Sequence, residues 1–241
     1  MLKLKHISQF KKQIWPVIYV KRDNTYKNLT HDLEIVSKTN CDACVLEMNT
    51  TPEILDDAVR FATLEFPNLK IGVNYLGGPL DPYGYIHGFQ IAQKHNLPIV
   101  WTDFSGVDLI EEHPEVSLHS IESLRYQNAF YCSGIHMKYG TLKNTNKSIE
   151  QSALQAMGWV DGIIMTGKKT GDPTDTQKVK NVRELIGNYS LGIASGLSSE
   201  NALELLPWID FALVNSSIAD KEHHLIYEKV KSLTDLFHQF K

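Results

Sequence analysis

The 241-residue chain has few cysteines and no long apolar run. Its three cysteines are an odd number and too few for a disulfide framework, so we expect a reduced, cytoplasmic protein. No stretch approaches the roughly 18 consecutive apolar residues of a membrane-spanning helix. Charged residues interrupt the apolar ones at the N-terminus, so no signal peptide is predicted.

An excess of either charge is also missing. The 24 Lys and Arg residues nearly balance the 28 Asp and Glu residues, for a formal net charge of −4. This balance argues against a nucleic-acid surface, which usually needs a clustered basic face. It leaves room for a small anionic ligand, because a helix N-terminus or a barrel mouth can be locally positive in an acidic protein.

What the sequence does contain is an alternation of short β-rich apolar runs and amphipathic segments. Strands are predicted over residues 16–20, 43–48, 69–74, 98–102, 129–137, 160–165, 190–194 and 210–214. Helices are predicted over residues 28–38, 51–67, 85–95, 148–157, 176–186, 198–206 and 221–240. The segment 104–127 interrupts the pattern and is predicted to hold an extra hairpin or a short helix.

Consecutive strand–helix units predict a parallel sheet. Eight of them in a chain of this length fit a closed (β/α)8 barrel. The alternative is an open doubly wound sheet, which needs only about five or six strands. Because no linker-like change of composition interrupts the pattern, residues 1–241 are predicted to form one domain.

Charged and polar residues stand at the predicted strand ends, which meet at one mouth in such a barrel. Glu47, Asp103, His136 and Lys138 are the candidate catalytic residues. Alternate residues of a strand share a face, so His136 is expected to point the same way as Lys138. Carboxylates, an imidazole and an ammonium in one small space permit acid–base chemistry. Schiff-base chemistry at Lys138 and a simple ion pair with a carboxylate are the alternatives.

Small residues follow the seventh strand, at Ser195 and Gly196, where many barrels bind phosphate through backbone N–H groups. The alternative is that the loop serves only to cap the following helix. Capping would explain Ser198 and Ser199 but not Ser195 and Gly196. The loop after the eighth strand offers hydroxyls and amides but lacks the glycine that such sites often carry. The predicted ligand-binding residues are Asn49, Asn74, Thr166, Gly167, Thr170, Gly171, Ser195, Gly196, Asn215 and Ser217.

Three other motifs resemble functional sites, but their residues favour structural roles. Residues 162–169 nearly fit the phosphate-binding pattern G-x-x-x-x-G-K-[ST], but their middle positions are an apolar strand. Cys41 and Cys44 form a C-x-x-C pair that would face opposite sides of a strand, unless Cys41 lies in the preceding turn. His223 and His224, at the start of the predicted last helix, diverge by about 100° and are interpreted as solvated.

The stretch T-G-x-x-T-G-x-P at residues 166–173, directly after a predicted strand, resembles the BtpA family. Further matches are Ser195, Gly196, Glu200 and Asn201, while Ala194 and Asn215 stand where the family has glycine. Upstream, residues 47–49, 71–76 and 135–140 look like the family's E-N, G-V-N-x-L and V-K-H-G segments. The resemblance implies a (β/α)8 barrel of the ribulose-phosphate-binding type and places the site better than it defines a reaction.

Two functional classes follow. The first is a small-molecule-binding protein that acts on a phosphorylated sugar or nucleotide-like ligand at the barrel mouth. If it is an enzyme, it would be an isomerase or a lyase. In it, Glu47 or Asp103 would be the acid–base group and Lys138 an electrostatic stabiliser. The second is a non-catalytic barrel that assembles with a protein partner through the segment 104–127. No cofactor is predicted, and a divalent metal and a homo-oligomer stay open.

Overall fold

Eight parallel strands form a closed barrel in sequence order. The computed structural model describes residues 2–21, 26–49, 51–76, 84–103, 125–136, 147–169 and 171–240. The strands are β1 (Gln13–Tyr19), β2 (Cys44–Met48), β3 (Ile71–Tyr75), β4 (Ile99–Thr102), β5 (Phe130–Gly134), β6 (Gly162–Met165), β7 (Ser190–Ile193) and β8 (Phe211–Val214). Because β1 pairs with both β2 and β8, the predicted barrel is confirmed and the open sheet is wrong.

Helices follow most of the strands and pack outside the barrel. In the described part of the chain they are α1 (Tyr26–Thr39), α2 (Pro52–Glu65), α3 (Gly84–His95), α4 (Ile149–Ala156), α5 (Thr176–Ile186), α6 (Ala202–Leu205) and α7 (Tyr227–Gln239). Across the described ranges, no helix is long and apolar enough to cross a membrane. Most of the segment 104–127 lies outside the described residues, which resume at Arg125.

The alternation of side chains along each strand separates two apolar clusters. One fills the barrel interior, where the rings of Trp15 and Phe211 stack with centroids 4.7 Å apart. The other joins the outer strand faces to the helices. Gly192 makes room for Phe211, because a Cβ there would lie 2.5 Å from its ring. A large aromatic ring on β8 thus packs directly over a glycine on the neighbouring strand β7.

The N-terminal segment covers the amino ends of the strands. Leu2, Leu4 and Ile7 pack against the interior cluster. The side-chain amide of the buried Gln13 donates to the carbonyl oxygens of Leu4, Ser8 and Phe10, at 2.9, 3.3 and 3.2 Å. β1 therefore begins at Gln13, three residues before the start at residue 16 that the apolar pattern predicted. The barrel is covered at this end, which leaves the opposite end for a ligand.

Two predicted helices are shorter than expected. The helix predicted from residue 221 begins at Tyr227, because the Asp220 carboxylate accepts the backbone N–H groups of Glu222 and His224 and Ala219 pairs with Leu225. The helix predicted over 198–206 shrinks to Ala202–Leu205. There the Asn201 side chain bonds backbone groups before the helix, which makes residues 198–201 a turn.

Candidate functional site

A cavity of about 660 Å³ opens at the carboxyl ends of the strands. Its walls are the ends of β1, β2 and β8 and the loops after β4, β6, β7 and β8. Eight of the predicted site residues line it: Glu47, Asn49, Asp103, Gly171, Ser195, Gly196, Asn215 and Ser217. Its volume falls in the range of about 300–1,000 Å³ that small-molecule sites have.

Two carboxylates share one amide donor at this cavity. The Asn74 Nδ2 group lies 3.3 Å from Glu47 Oε2 and 3.5 Å from Asp103 Oδ1. Glu47 and Asn74 come together because they are register partners on β2 and β3. Asn74 is fully buried, so its amide is held rigidly between the two carboxylates. Two carboxylates at one cavity are groups that acid–base chemistry can use.

Two buried polar atoms beside these carboxylates have no hydrogen-bond partner in the described part of the chain. They are the Asn74 Oδ1 acceptor and the Trp101 Nε1 donor, and Trp101 itself lines the cavity. Leaving such a group unsatisfied costs about 1–3 kcal/mol, which a polar ligand would recover. Trp101 is a cavity residue that sequence reasoning did not assign to the ligand. Its position two residues before Asp103, on the same strand face, was the available signal.

The loops after β6 and β7 meet at Gly196, while Gly167 allows a close approach within the loop after β6. A Cβ on Gly167 or on Gly196 would lie 2.2 or 2.1 Å from the Asp172 carbonyl oxygen. Gly171 and Gly196 also adopt left-handed φ angles of 84° and 61°, which glycine adopts without steric cost. Gly167 and Gly196 therefore allow close approaches of the backbone, whereas Gly171 supplies a positive φ in open space.

The serine hydroxyls of these loops hold the loops together. Ser195 Oγ donates to the Lys169 carbonyl oxygen at 3.1 Å, and Ser217 Oγ donates to the Leu197 carbonyl oxygen. By contrast, the backbone N–H groups of Gly196, Leu197, Ser216 and Ser217 donate to no acceptor among the residues that the structure describes. The donors available to an anion are therefore backbone N–H groups of the two loops, as at many phosphate sites.

Other predicted residues lie away from the cavity. Thr166 Oγ1 donates to the Gly167 carbonyl oxygen at 3.1 Å, so both residues serve loop structure. The expectation that His136 shares a strand face with Lys138 is wrong, because β5 ends at Gly134 and His136 has a φ of 48° in the following turn. His136 Nε2 lies 3.0 Å from Ser152 Oγ on α4. Lys138 and Thr170 lie outside the described residues.

The rejected motifs have structural roles. Residues 162–165 form β6, as predicted. Cys41 lies in the turn before β2, where its Sγ is 3.3 Å from hydroxyls of Thr39 and Thr234, and burial raises the pKa of both Cys41 and Cys44. Within the described ranges, no group of three or more His, Cys, Asp or Glu residues could hold a metal ion. The absence of a cofactor stays a prediction.

Comparison with known proteins supports the family resemblance. The model of the BtpA family matches residues 126–237, just under half of the chain, and confirms the resemblance. No curated protein sequence matches the chain.

Solved structures with low sequence identity share the fold. Phosphoribosyl anthranilate isomerase from Thermus thermophilus matches with a TM-score of 0.62 and 12% identity, over 92% of this chain and 96% of that one. GGGPS from Thermoplasma volcanium matches with a TM-score of 0.65 and 13% identity, over 100% and 99%. Tryptophan synthase from M. tuberculosis matches with a TM-score of 0.65 and 11% identity, over 95% and 93%.

Proposed function

We propose that this chain, whose residues 126–237 match the BtpA family, binds a phosphorylated small molecule in the cavity at the carboxyl ends of its barrel. The observation that carries the proposal is the pair of loops after β7 and β8. They bring Gly196, Leu197, Ser216 and Ser217 to one cavity, and the N–H groups of these residues donate to no acceptor in the described part of the chain. Converging backbone N–H groups are a general solution for binding phosphate.

The comparisons agree with this assignment without fixing the ligand. Phosphoribosyl anthranilate isomerase, by its name, acts on a phosphorylated compound and shares the barrel. The phosphate of our chain's ligand would sit on the loops after β7 and β8. The rest of the ligand, a sugar or nucleotide-like group, would face the carboxylates and Trp101.

Glu47 and Asp103 are the groups that we assign to proton transfer in an isomerisation or cleavage reaction. Both line the cavity, and both are within reach of the same Asn74 amide. They lie on β2 and after β4, whereas the proposed phosphate loops follow β7 and β8. A ligand that spans the mouth could therefore bind phosphate on one wall and react at the other.

The test uses Ser216, an exposed cavity residue whose side chain makes no hydrogen bond to any described residue. Ser216→Asp places a negative charge beside the proposed phosphate, and Ser216→Asn is the matched neutral control. Repulsion of two unit charges about 4 Å apart costs about 1 kcal/mol in water and about 4 kcal/mol near a protein surface. We expect phosphate affinity to fall about tenfold or more in Ser216→Asp only.

Isothermal calorimetry with inorganic phosphate and with ribose 5-phosphate measures this difference. Equal affinities in the two variants would contradict the placement of the phosphate. A wild-type protein that binds neither compound would contradict the proposed function itself.

The alternative function, a non-catalytic assembly factor, was based on the segment 104–127. Residues 104–124 lie outside the described structure, and no observation on the described residues favours this alternative over ligand binding.

A further inference from the structure

The loop after β8 is built to hold His223 in one position. The Asp220 carboxylate accepts the N–H groups of Glu222 and His224 at 2.8 and 3.0 Å. The Leu225 N–H donates to Asp32 on α1 at 2.8 Å, which anchors the loop to the barrel wall. Within this loop His223 has a φ of 68°, a conformation that is uncommon for residues other than glycine and that costs free energy.

The hydrogen bonds of Asn215 define which nitrogen of His223 carries a proton. Asn215 Nδ2 donates to the carbonyl oxygens of Val17 at 2.8 Å and of His223 at 3.4 Å. Its Oδ1 must therefore be the atom that faces His223 Nδ1, at 2.8 Å, and an oxygen there can only accept. His223 Nδ1 is consequently the donor, and Nε2 is the nitrogen left to bind a proton or a ligand.

His223 contacts two residues that line the cavity, Tyr19 and Asn215. Its ring packs edge-on against Tyr19, with centroids 5.0 Å apart. Tyr19 and Asn215 both line the cavity, and Asn215 immediately precedes Ser216. Lys21 Nζ donates to the Glu222 carbonyl oxygen at 2.8 Å, so a lysine side chain lies against the same loop.

We propose that His223 is a further anion-binding residue of the mouth, whose Nε2 donates to the bound anion when the imidazole is protonated. The assignment rests on the proposed phosphate site. The backbone N–H groups of the loop after β8 carry only partial positive charges. An imidazolium close to them would attract an anion with a full positive charge. It also explains why Asn215 stands where the resemblance leads one to expect glycine: the asparagine orients the histidine.

The experiment measures sulfate affinity by calorimetry between pH 5.5 and 8, because sulfate keeps its charge over that range. Other titratable or charged groups surround the loop and belong to β1, the residues just after β1, α1, α7 or the loop itself. They are Tyr19, Lys21, His31, Asp32, Asp220, Lys221, Glu222, His224 and Lys229. His224→Gln is therefore the matched control, since it removes the neighbouring imidazole.

His223→Asn tests the assignment, because asparagine tolerates the left-handed backbone and should keep the loop intact. Wild-type protein and His224→Gln are expected to bind sulfate about tenfold more tightly at pH 5.5 than at pH 8. A factor of about ten is the affinity that one hydrogen bond to a charged group typically contributes. His223→Asn should bind with the wild-type affinity of pH 8 throughout. Thermal unfolding of all three proteins checks that they are folded.

A wild-type pH dependence retained in His223→Asn would overturn the role of His223 and leave the phosphate site standing. A pH dependence lost in His224→Gln and retained in His223→Asn would overturn it equally. Absence of sulfate and phosphate binding in every protein at every pH would overturn the proposed function together with this inference.

Discussion

Replacing Gly196 with alanine tests the interlocked loops that form the cavity wall. The new Cβ would lie 2.1 Å from the Asp172 carbonyl oxygen, 2.3 Å from its carbon and 2.4 Å from Pro173 Cα. All three are backbone atoms, so the clash cannot be relieved by rotating a side chain. We expect the loops after β6 and β7 to separate, with loss of both stability and anion binding.

Gly187 supplies the matched control. Its φ is nearly the same, 59° against 61° for Gly196, but a Cβ there has no atom within 4 Å. Gly187→Ala carries only the strain of a positive φ at a residue with a Cβ, about 1–3 kcal/mol, reduced by about 0.4–1 kcal/mol through loss of freedom in the unfolded chain. Gly196→Ala adds about 1–3 kcal/mol for forcing atoms into filled space.

Urea unfolding of the two variants measures the difference. We expect Gly196→Ala to be less stable than Gly187→Ala by about 1–3 kcal/mol, at an unchanged denaturant slope. Phosphate binding should disappear in Gly196→Ala alone. Equal stabilities would refute the close approach of the two loops, and unaltered phosphate affinity would refute its importance for the site.

Three further predictions test other parts of the structure. Asp161→Ala, which leaves the Arg125 guanidinium without its buried partner, should lower the free energy of unfolding by about 3–5 kcal/mol; a loss below about 1 kcal/mol in urea titrations would contradict a structural role for this pair. Asn74→Asp adds a carboxyl group that is buried beside Glu47 and Asp103, so its pKa in the folded protein should be raised. The resulting loss of stability should be full at pH 8 and shrink toward pH 5, and a loss independent of pH in thermal unfolding would show that the carboxylates are apart. Burial raises the pKa of Cys44 and Cys132. Both thiols should therefore react with an aromatic disulfide reagent at pH 8 only after the protein unfolds. Rapid modification of two thiols in the native protein would contradict their burial.

The repeating part of the fold could be predicted because local patterns define it. Helix α5 has the predicted bounds, Thr176–Ile186, since Asp175 caps its N-terminus and Gly187 follows its last residue. The last helix was predicted six residues too long at its start, because the bond from Leu225 N to Asp32 joins residues 193 positions apart. No local pattern reveals such a contact.

Part of the cavity lining could be expected from the strand ends. Glu47 and Asp103 come together as expected, because parallel strands bring their carboxyl ends to one mouth. His136 was placed incorrectly because an apolar run does not show where β5 stops. The sequence suggested hydroxyl contacts to a ligand, whereas Ser195 and Ser217 donate to loop carbonyls. The direction in which these hydroxyls point depends on how closely the two loops approach each other, and the sequence pattern does not specify that approach.

The most direct test of the phosphate site is a nuclear magnetic resonance titration of ¹⁵N-labelled protein with ribose 5-phosphate. The account predicts that the largest amide shifts belong to Gly196, Leu197, Ser216 and Ser217, whose N–H groups would donate to the phosphate. Inorganic phosphate should move the same four signals, while the signals of Glu47 and Asn74 should respond to the sugar phosphate only. Amide shifts that leave the loops after β7 and β8 unaffected would contradict the proposed function.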